Sequence, residues 1–339
     1  MGILRNLSRR GPSFEVIDRR CWADESLDRL YDQLPVLDPY QRVETVLGML
    51  RPLRNRPEEH VQLSELMGEE LMGSVDVLRE RCAHPHTHPD DRVDLLALLG
   101  TTLVDVAWEI RGSGPASSVQ KSAWPDFREI LTEADEILVA ALRMVPHHPD
   151  AATFRLFTAL GLGVRSDEWW NRFEVARAAH PTLYAAHRAM LTALCAKWYG
   201  SDELMFDFGR SVAEQAPPGD PLVAMLPLAH AEYLCSVMMG RNTPGGPSPE
   251  AARMDDEEAV MAASWKWAGD GSRPAPTHAH ALRAHNLFGW FLGTSSRFQD
   301  RGRWHLEQTR HRYHSMPWSF VADDPQGAYA ELCVRLGVR

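Results

Sequence analysis

Apolar residues recur at every third or fourth position along most of the chain, the spacing that places them on one face of a helix. The first clear run lies at 43–50, and a denser one follows Asp90. Proline, glycine and histidine–proline pairs interrupt these runs, and proline cannot continue a helix. The pattern therefore predicts many amphipathic helices with abrupt ends.

Helices are predicted at 25–34, 39–50, 58–82, 90–110, 125–145, 151–162, 167–179, 221–239, 250–268, 277–293, 300–315 and 324–337, with two more on either side of 196–201. Asp90 is expected to be the N-cap of its helix, because an Asp side chain accepts a hydrogen bond from a free backbone N–H. No run alternates Val, Ile or Thr with polar residues, so no strand is predicted. The sequence therefore indicates an all-α protein.

The paired helices repeat with a period. Pro149 and Pro181 are 32 residues apart, close to the tetratricopeptide (TPR) unit of about 34 residues. Phe173 and Ala176 stand at apolar places of that unit, whereas Trp169 stands where Ala is usual. The neighbouring units are longer. The sequence therefore predicts a right-handed α-solenoid of roughly six TPR-like helical hairpins.

Three parts are expected along the chain. Residues 1–38 form an N-terminal arm and a short helix, 39–320 form the TPR-like repeat domain, and 321–339 form a C-terminal capping helix. A terminal cap is expected because the last repeat of a solenoid needs a polar outer face.

Three blocks resemble an uncharacterised bacterial family of TPR-like helical-repeat proteins, a domain of unknown function. They are 103–119 (LVDVAWEIRGSGPASSV), 180–201 (HPTLYAAHRAMLTALCAKWYGS) and 219–233 (GDPLVAMLPLAHAEY). The most distinctive pieces are the Trp-x-x-Arg-Gly turn and the Lys-Trp-x-Gly-Ser turn. The resemblance covers about 85–320; it implies an α-solenoid and implies no activity.

Charge and composition narrow the classes of function. The formal net charge is −10, so no nucleic-acid partner is expected, because phosphate recognition needs a positive surface. The five scattered cysteines include no Cys-x-x-Cys pair, which indicates neither a disulfide framework nor a zinc ribbon. No secretory signal is recognised, and no apolar run approaches the roughly 18 residues of a membrane span. We therefore expect a soluble cytoplasmic protein with no membrane partner and no cofactor.

Three consecutive turns between paired helices are lengthened, at 112–124, 197–201 and 241–249. In a stack of hairpins such turns share one edge, and insertions gather on the binding side. Cations and aromatic residues, which are enriched in interface hot spots, collect there: Arg111, Lys121, Trp124, Lys197, Trp198, Tyr199 and Arg241. Five of them, Arg111, Trp124, Lys197, Trp198 and Arg241, are predicted to line one positive groove for an acidic or carboxylate-bearing partner. In the competing interpretation, the tryptophans fill gaps beneath the loops and the cations are solvated.

Polar residues inside apolar helices form a second candidate set. Asp105 and Glu109 are one helical turn apart, so the two carboxylates can act as acid and base or hold a metal. They can equally form a buried ion network with Arg111, which is the favoured interpretation. Three further residues occupy similar positions on other helices: His187, His230 and Glu232. A hydrogen-bonded packing role is favoured for these three.

Two sequence patterns suggest metal chemistry, and neither supports it. His84, His86 and His88 lie in an extended His-Pro segment, which implies no tetrahedral ligand set. Residues 90–94 (DDRVD) match the DDxxD motif of class I terpene synthases, but the second metal motif is missing. We interpret these acids as N-cap and first-turn residues favoured by the helix dipole. No metal site is predicted.

Two functions are compatible with these features. The favoured hypothesis is a cytoplasmic helical-repeat protein that docks a protein or peptide segment and has no catalytic activity. The alternative is a small-molecule enzyme or sensor whose pocket lies between the long turns and uses Asp105, Glu109, Arg111 and Lys197. A shallow groove rimmed by aromatic residues favours the first hypothesis. Burial of both carboxylates beside a pocket favours the second.

Overall fold

Helices dominate the protein, whose structure is a computed structural model that describes residues 15–16, 28–112, 119–272 and 277–338. The helical share is 75%, and the described residues form 16 helices with almost no strand. The all-α prediction is therefore confirmed. Most of the predicted N-terminal arm lies outside the described residues, as do residues 113–118 of the first long turn.

Two compact units make up the chain. The first unit comprises residues 22–194, and the second unit comprises 195–339 together with the N-terminal 21 residues. Each unit is described by itself below. The domain boundaries expected from the sequence stay predictions.

The described helices of the first unit are α1 (Asp28–Gln33), α2 (Pro39–Leu50), α3 (Pro57–Glu70), α4 (Val75–Ala83), α5 (Pro89–Arg111), α6 (Ala123–Met144), α7 (Pro149–Leu162), α8 (Ser166–Ala179) and α9 (Tyr184–Ala193). Short 3-10 turns lie at Leu34–Val36, Arg51–Leu53 and Met72–Ser74. Proline begins α2, α3, α5 and α7, because its fixed φ and missing N–H suit the first helical position.

Side-chain caps fix three of these starting points, those of α2, α5 and α7, and His148 is the cap of α7. Asp38 caps α2: its carboxylate accepts the N–H of Gln41, whose side chain accepts the N–H of Asp38. At α5 the cap is His88, whose Nδ1 accepts the N–H of Asp90 at 3.3 Å. Asp90 therefore lies in the first turn, and its prediction as the N-cap is wrong, because the helix begins one residue earlier at Pro89.

The core of the first unit forms where the apolar faces of α2, α3, α5 and α6 meet. Leu47, Leu63, Leu98 and Leu131 are all completely buried there. The α5 and α6 backbones approach closely at Gly100, where a Cβ atom would lie 2.5 Å from Cγ of Leu138. This packing fixes the direction of α5, which carries several polar residues discussed below.

The second unit is also helical. Its described elements are β1 (Glu15–Val16), α10 (Asp202–Gln215), α11 (Met225–Met238), α12 (Pro249–Ala268), α13 (Ala281–Gly293), α14 (Gln299–Gln308), β2 (Arg312–Tyr313), α15 (Ser315–Val321) and α16 (Pro325–Leu336), with a 3-10 turn at Pro221–Ala224. The strands pair in parallel, Glu15 with Arg312 and Val16 with Tyr313. This two-residue pair is the exception to the expectation of no strand, since it is too short to produce an alternating pattern.

The helices α13 and α14 pack backbone against backbone. A Cβ atom on Gly302 would lie 2.1 Å from the backbone nitrogen of Gly293, so only glycine permits this approach. On the same helix as Gly293, the Asn286 side-chain oxygen accepts a hydrogen bond from Nε1 of the buried Trp318 at 3.0 Å. These contacts attach α14 and α15 to opposite parts of α13.

Two helix boundaries differ from the predictions. The predicted helix at 58–82 is two helices, because α3 ends at Glu70 and a 3-10 turn at Met72–Ser74 precedes α4. Apolar residues keep their helical spacing through this turn, so periodicity does not reveal the break. The predicted helix at 300–315 ends at Gln308, before Arg310 and His311 adopt positive φ angles of 50° and 60°. Such angles are incompatible with a right-handed helix.

One described segment, Pro221–Met238, is long and apolar enough to span a membrane by length and composition, with a mean hydropathy of 1.3. The expectation that no run approaches this length is therefore wrong. The segment passes the test although it contains His230 and Glu232, because the mean hydropathy averages over them. However, 78% of it is buried inside the protein, as the core helix of a folded domain would be.

Candidate functional site

A buried polar cluster lies in the first unit, near the N-terminal ends of α3, α5 and α7. These three helices pack against one another. Each begins with proline, and each buries a polar residue within its first six positions: His60 on α3, Asp94 on α5 and Asp150 on α7. Polar groups removed from water need hydrogen-bonding partners. In this cluster the polar side chains are hydrogen-bonding partners of one another, although they come from segments far apart in sequence.

Asp150 organises one half of the cluster. It is completely buried, and its Oδ1 lies 2.8 Å from Nδ1 of His60. Its Oδ2 accepts the hydroxyl hydrogen of Ser64. Because an ionised carboxylate can only accept, Nδ1 of His60 carries the proton of this hydrogen bond. The remaining ring nitrogen, Nε2, is then the atom at which His60 gains or loses a second proton.

Asp94 organises the other half. Its Oδ2 accepts from Nε and Nη2 of Arg54 at 2.8 and 2.6 Å. Its Oδ1 lies 3.4 Å from Nε2 of His148 and 3.7 Å from Nε2 of His60. Because Nδ1 of His148 accepts the N–H of Ala151, the proton of the neutral His148 ring is on Nε2 and is donated to Asp94.

A cavity of about 220 Å³ adjoins the cluster. That volume is large enough for several water molecules. The lining residues comprise buried polar groups, apolar groups and more exposed charged or polar groups: His60, Asp94 and His148; Val93, Val145 and Pro149; Arg54, Asp90 and His147. We call this cavity the His60 pocket. Within the described residues, Nε2 of His60 is buried and has no hydrogen-bond partner.

Electrostatics poise His60 for proton exchange. Burial lowers the pKa of His60, but the charge and hydrogen bond of Asp150 and the charge of Asp94 outweigh it and raise the pKa above its usual value. Burial opposes ionisation of Asp150, yet His60 and Ser64 hold its pKa below the usual range. The result is an oriented imidazole beside an ionised carboxylate, an arrangement that can serve as a general acid or base.

Three of the residues predicted to bind a partner lie in the first unit: Arg111, Lys121 and Trp124. The guanidinium carbon of Arg111 lies 5.2 Å from the ring centre of Trp108 and 5.9 Å from that of Trp124. Trp124 is half-buried and packs edge-on against Phe127. Lys121 is exposed. The structure thus brings Arg111 and Trp124 together.

In the second unit, Lys197 has an internal partner. Its Nζ lies 2.5 Å from Oε2 of the buried Glu232 and 5.2 Å from the ring centre of Phe320. Burial lowers the pKa of Lys197, but the charge and hydrogen bond of Glu232 raise it overall. Trp198 is half-buried, and Tyr199 beside it is exposed. Lys197 therefore neutralises Glu232.

Two of the three long turns lie side by side. Oδ2 of Asp202, which follows the 197–201 turn, accepts the N–H of Thr243 at 2.5 Å. The hydroxyl oxygen of Thr243 accepts the N–H of Asp202 at 3.3 Å. Arg241, at the start of the 241–249 turn, is half-buried. The remaining long turn, 112–124, belongs to the first unit and is partly outside the described residues.

The polar residues predicted as a second candidate set do not form one site, and each has its own surroundings. Asp105 is half-buried with a buried Oδ2, whereas Glu109 is exposed. His187 donates Nδ1–H to the carbonyl of Leu183 at 2.8 Å, and burial lowers its pKa to about 4. In the second unit, Nε2 of His230 lies 2.9 Å from Oδ2 of Asp256. Burial lowers the pKa of His230 despite that carboxylate.

The buried cluster around His60 was not predicted from the sequence. Asp94 was interpreted as a first-turn acid at a helix end, but the structure buries Asp94 against Arg54. His60 was given no role, because the partners of that residue lie 34 and 90 positions further along the chain. One local signal exists: His-Pro-Asp occurs at both 88–90 and 148–150. These repeats begin two of the three helices that line the His60 pocket.

No group of three or more His, Cys, Asp and Glu side chains within the described ranges is arranged to hold a metal ion. No protein-family model, curated protein or solved structure matches the chain. Fold and site together define a helix-rich protein whose first unit carries a buried His–Asp pair beside a small pocket.

Proposed function

We propose that the first unit binds a small polar molecule in the His60 pocket and exchanges a proton with it through Nε2 of His60. The observation that carries this proposal is the buried Nε2, which has no hydrogen-bond partner among the described residues and belongs to a side chain that lines a cavity. Such a site suits acid–base catalysis of a small substrate or sensing of a small ligand.

A purely structural His–Asp pair explains the observations less well. Protein interiors are close-packed and contain few voids larger than a water molecule. A pair that served only packing would be enclosed by side chains, as His187 is by Phe173 at a ring-centre distance of 5.0 Å. His60 instead has one ring nitrogen engaged with Asp150, and its other nitrogen, which has no hydrogen-bond partner among the described residues, belongs to a side chain that lines a cavity.

This proposal moves the small-molecule site expected from the sequence to a different place. Contacts of the residues first considered support other roles for them: Arg111 stacks on tryptophan, and Lys197 neutralises Glu232. Glu109 is exposed. The His60 pocket is instead flanked by the carboxylates of Asp90 and Asp94.

Docking of a protein or peptide segment is a second proposal. Large apolar side chains are exposed at or near the two neighbouring long turns of the second unit: Tyr199, Leu204, Met238 and Met239. Flexible methionines and aromatic rings are common in binding surfaces. Arg241 supplies a cation for an acidic or carboxylate-bearing segment. Because Lys197 is neutralised internally by Glu232, this surface is less positive than expected, and the pocket is the primary proposal.

Three architectural and cellular features are also proposed. The recurrence of paired helices supports a right-handed TPR-like solenoid, and the quoted sequence blocks support membership of the bacterial TPR-like family. The four described cysteines form no disulfide with one another, which is compatible with a reducing cytoplasm. None of these proposals is needed for the function assigned to the His60 pocket.

The proposal is tested by NMR on the full chain with ¹³C-labelled histidine. Small polar solutes of different charge (acetate, acetamide, acetamidinium and imidazole) are titrated at millimolar concentration. At least one is expected to shift the Cε1–H resonance of His60 saturably and to leave that of the exposed His86 unchanged. The His60→Asn variant assigns the resonance, because Asn can still donate to Asp150. If no solute shifts the His60 signal, the pocket is not a ligand site.

A further inference from the structure

The two polar atoms of interest in the His60 pocket are both hydrogen-bond acceptors when His60 is neutral. Nε2 of His60 and Oδ1 of Asp94 lie 3.7 Å apart. The first has no hydrogen-bond partner within the described ranges, and the second has a long one from His148 at 3.4 Å. Two acceptors at this spacing repel each other, and a group with two N–H bonds can satisfy both. The geometry therefore calls for a donor.

The surrounding charges point to a cation. Three carboxylates that are not exposed line the pocket or pair with its lining: Asp91, Asp94 and Asp150. When His60 is neutral, only two cationic groups oppose them, Arg51 and Arg54. Both arginines are already engaged with carboxylates. An anion would meet this negative excess, whereas a cation would offset it.

The other titratable groups do not reverse this balance. His148 is held with its Nε2–H toward Asp94 and offers the ligand no second acceptor. His147 and Asp90 are exposed, where solvent screens them. The apolar wall formed by Val93, Val145 and Pro149 suits a short hydrocarbon body.

We propose that the His60 pocket binds a small organic nitrogen cation, an ammonium or amidinium group on a short apolar body, through N–H donation to Asp94 and His60. This inference rests on the proposed function, because it specifies the ligand of the same site. A bound cation repels the imidazolium form of His60. Binding therefore releases the proton of Nε2 to solvent, and Nε2 then accepts an N–H bond from the ligand.

Proton release gives the proposal a measurable signature. Below the pKa of His60 the ligand competes with a proton, so affinity should rise with pH until His60 is neutral in the free protein. Acetamidinium and n-propylammonium are the probes. Tetramethylammonium, a cation without N–H bonds, and acetate, an anion of the shape of acetamidinium, are the controls. Dissociation constants are measured from the His60 resonance at pH 6 and pH 8, in wild type, Asp94→Asn and the control Glu109→Gln.

Acetamidinium is expected to bind about tenfold more tightly at pH 8 than at pH 6, and about tenfold more weakly to Asp94→Asn than to wild type, as for the loss of a charge-assisted hydrogen bond. Glu109→Gln, an equal charge change at an exposed position of the same helix outside the pocket lining, should change affinity about twofold or less. If Asp94→Asn does not fold, the pH dependence and the weaker binding of tetramethylammonium decide the question in wild type.

Three results would overturn the inference in distinguishable ways. Preferential binding of acetate or acetamide at His60 would show that the pocket takes ligands but that their class is wrong. Absence of any shift at His60 with every solute would remove the inference and the proposed function together. Equal affinity for acetamidinium at pH 6 and pH 8 would exclude proton release.

Discussion

Asp105 shows how the burial of one carboxyl group can set the pH dependence of stability. Its Oδ2 is buried without a hydrogen-bond partner in the described part of the chain, and it lies against Gly68, where a Cβ would be 2.0 Å away. Burial, followed by the charges of Glu65 and Glu69, raises the pKa of Asp105 to about 8. The folded protein therefore binds a proton at neutral pH that the unfolded chain does not.

The pKa of Asp105 is higher in the folded protein than in the unfolded chain. The contribution of Asp105 to the stability of the fold is therefore complete at acidic pH. That contribution is lost as pH rises from about 4 through about 8. Asp105→Asn should remove the loss and raise the free energy of unfolding by about 2 kcal/mol or more at pH 9, with little effect at pH 4. Urea unfolding at both pH values measures this.

Glu109→Gln is the matched control, since it removes the same charge from an exposed position on the same helix. It should change stability by less than about 0.5 kcal/mol. Equal pH dependence in wild type and Asp105→Asn would show that Asp105 is ionised in the folded protein.

The same pair of carboxylates shows what the sequence could predict at this scale. Spacing predicted correctly that Asp105 and Glu109 lie on one helix, one turn apart. It did not predict that only Asp105 reaches a buried position. Four residues rotate about 40° beyond a full turn, enough to carry Glu109 past the edge of the buried face. The position of that edge depends on α3, which packs on α5.

At the scale of elements, proline predicted helix starts well. Six described helices begin at proline: α2, α3, α5, α7, α12 and α16. Local sequence sets these starts, because proline suits the first helical position and breaks later ones. The break between α3 and α4 was missed because no proline marks it. The close approach of α13 and α14 was also missed, since it depends on two glycines meeting across helices.

That close approach carries a prediction. Gly302→Ala would place a Cβ against the backbone of Gly293, which cannot move aside as a flexible side chain can. The substitution should lower the free energy of unfolding by about 3 kcal/mol. Gly48→Ala in α2 is the control, because nothing lies within 4 Å of the new methyl group. It should stabilise by up to about 1 kcal/mol, the helix propensity difference. Similar stability of the two variants in urea unfolding would contradict the backbone contact.

At the scale of the whole molecule, the sequence predicted the structural class but not the site. Helical periodicity and the absence of alternating runs are local properties, and they identified an all-α protein. The His60 pocket depends on contacts such as that between His60 and Asp150, 90 residues apart. Likewise the backbone N–H of Tyr184 donates to the carboxylate of Glu58, 126 residues away. Neither pairing leaves a spacing pattern in the sequence.

The net charge of the whole chain does not identify its binding surface. A net charge of −10 made the cations at the long turns stand out as a binding surface. In the folded protein one of these cations, Lys197, pairs with the buried Glu232, and Arg54 in another part of the chain pairs with the buried Asp94. Distances within the fold, and not net charge, decide which cations are available to a partner.

The most direct test of the central claim is the pH titration of His60 in the free protein, followed by NMR of its Cε1–H resonance. In wild type the midpoint should lie above the usual pKa of about 6.5 for histidine, because Asp150 outweighs the effect of burial. In Asp150→Asn burial remains without the charge, and the midpoint should fall by about 1–3 units. Ser64→Ala keeps the charge and should stay close to wild type. A His60 that does not titrate between pH 4 and pH 9, or whose midpoint ignores Asp150→Asn, would contradict the account.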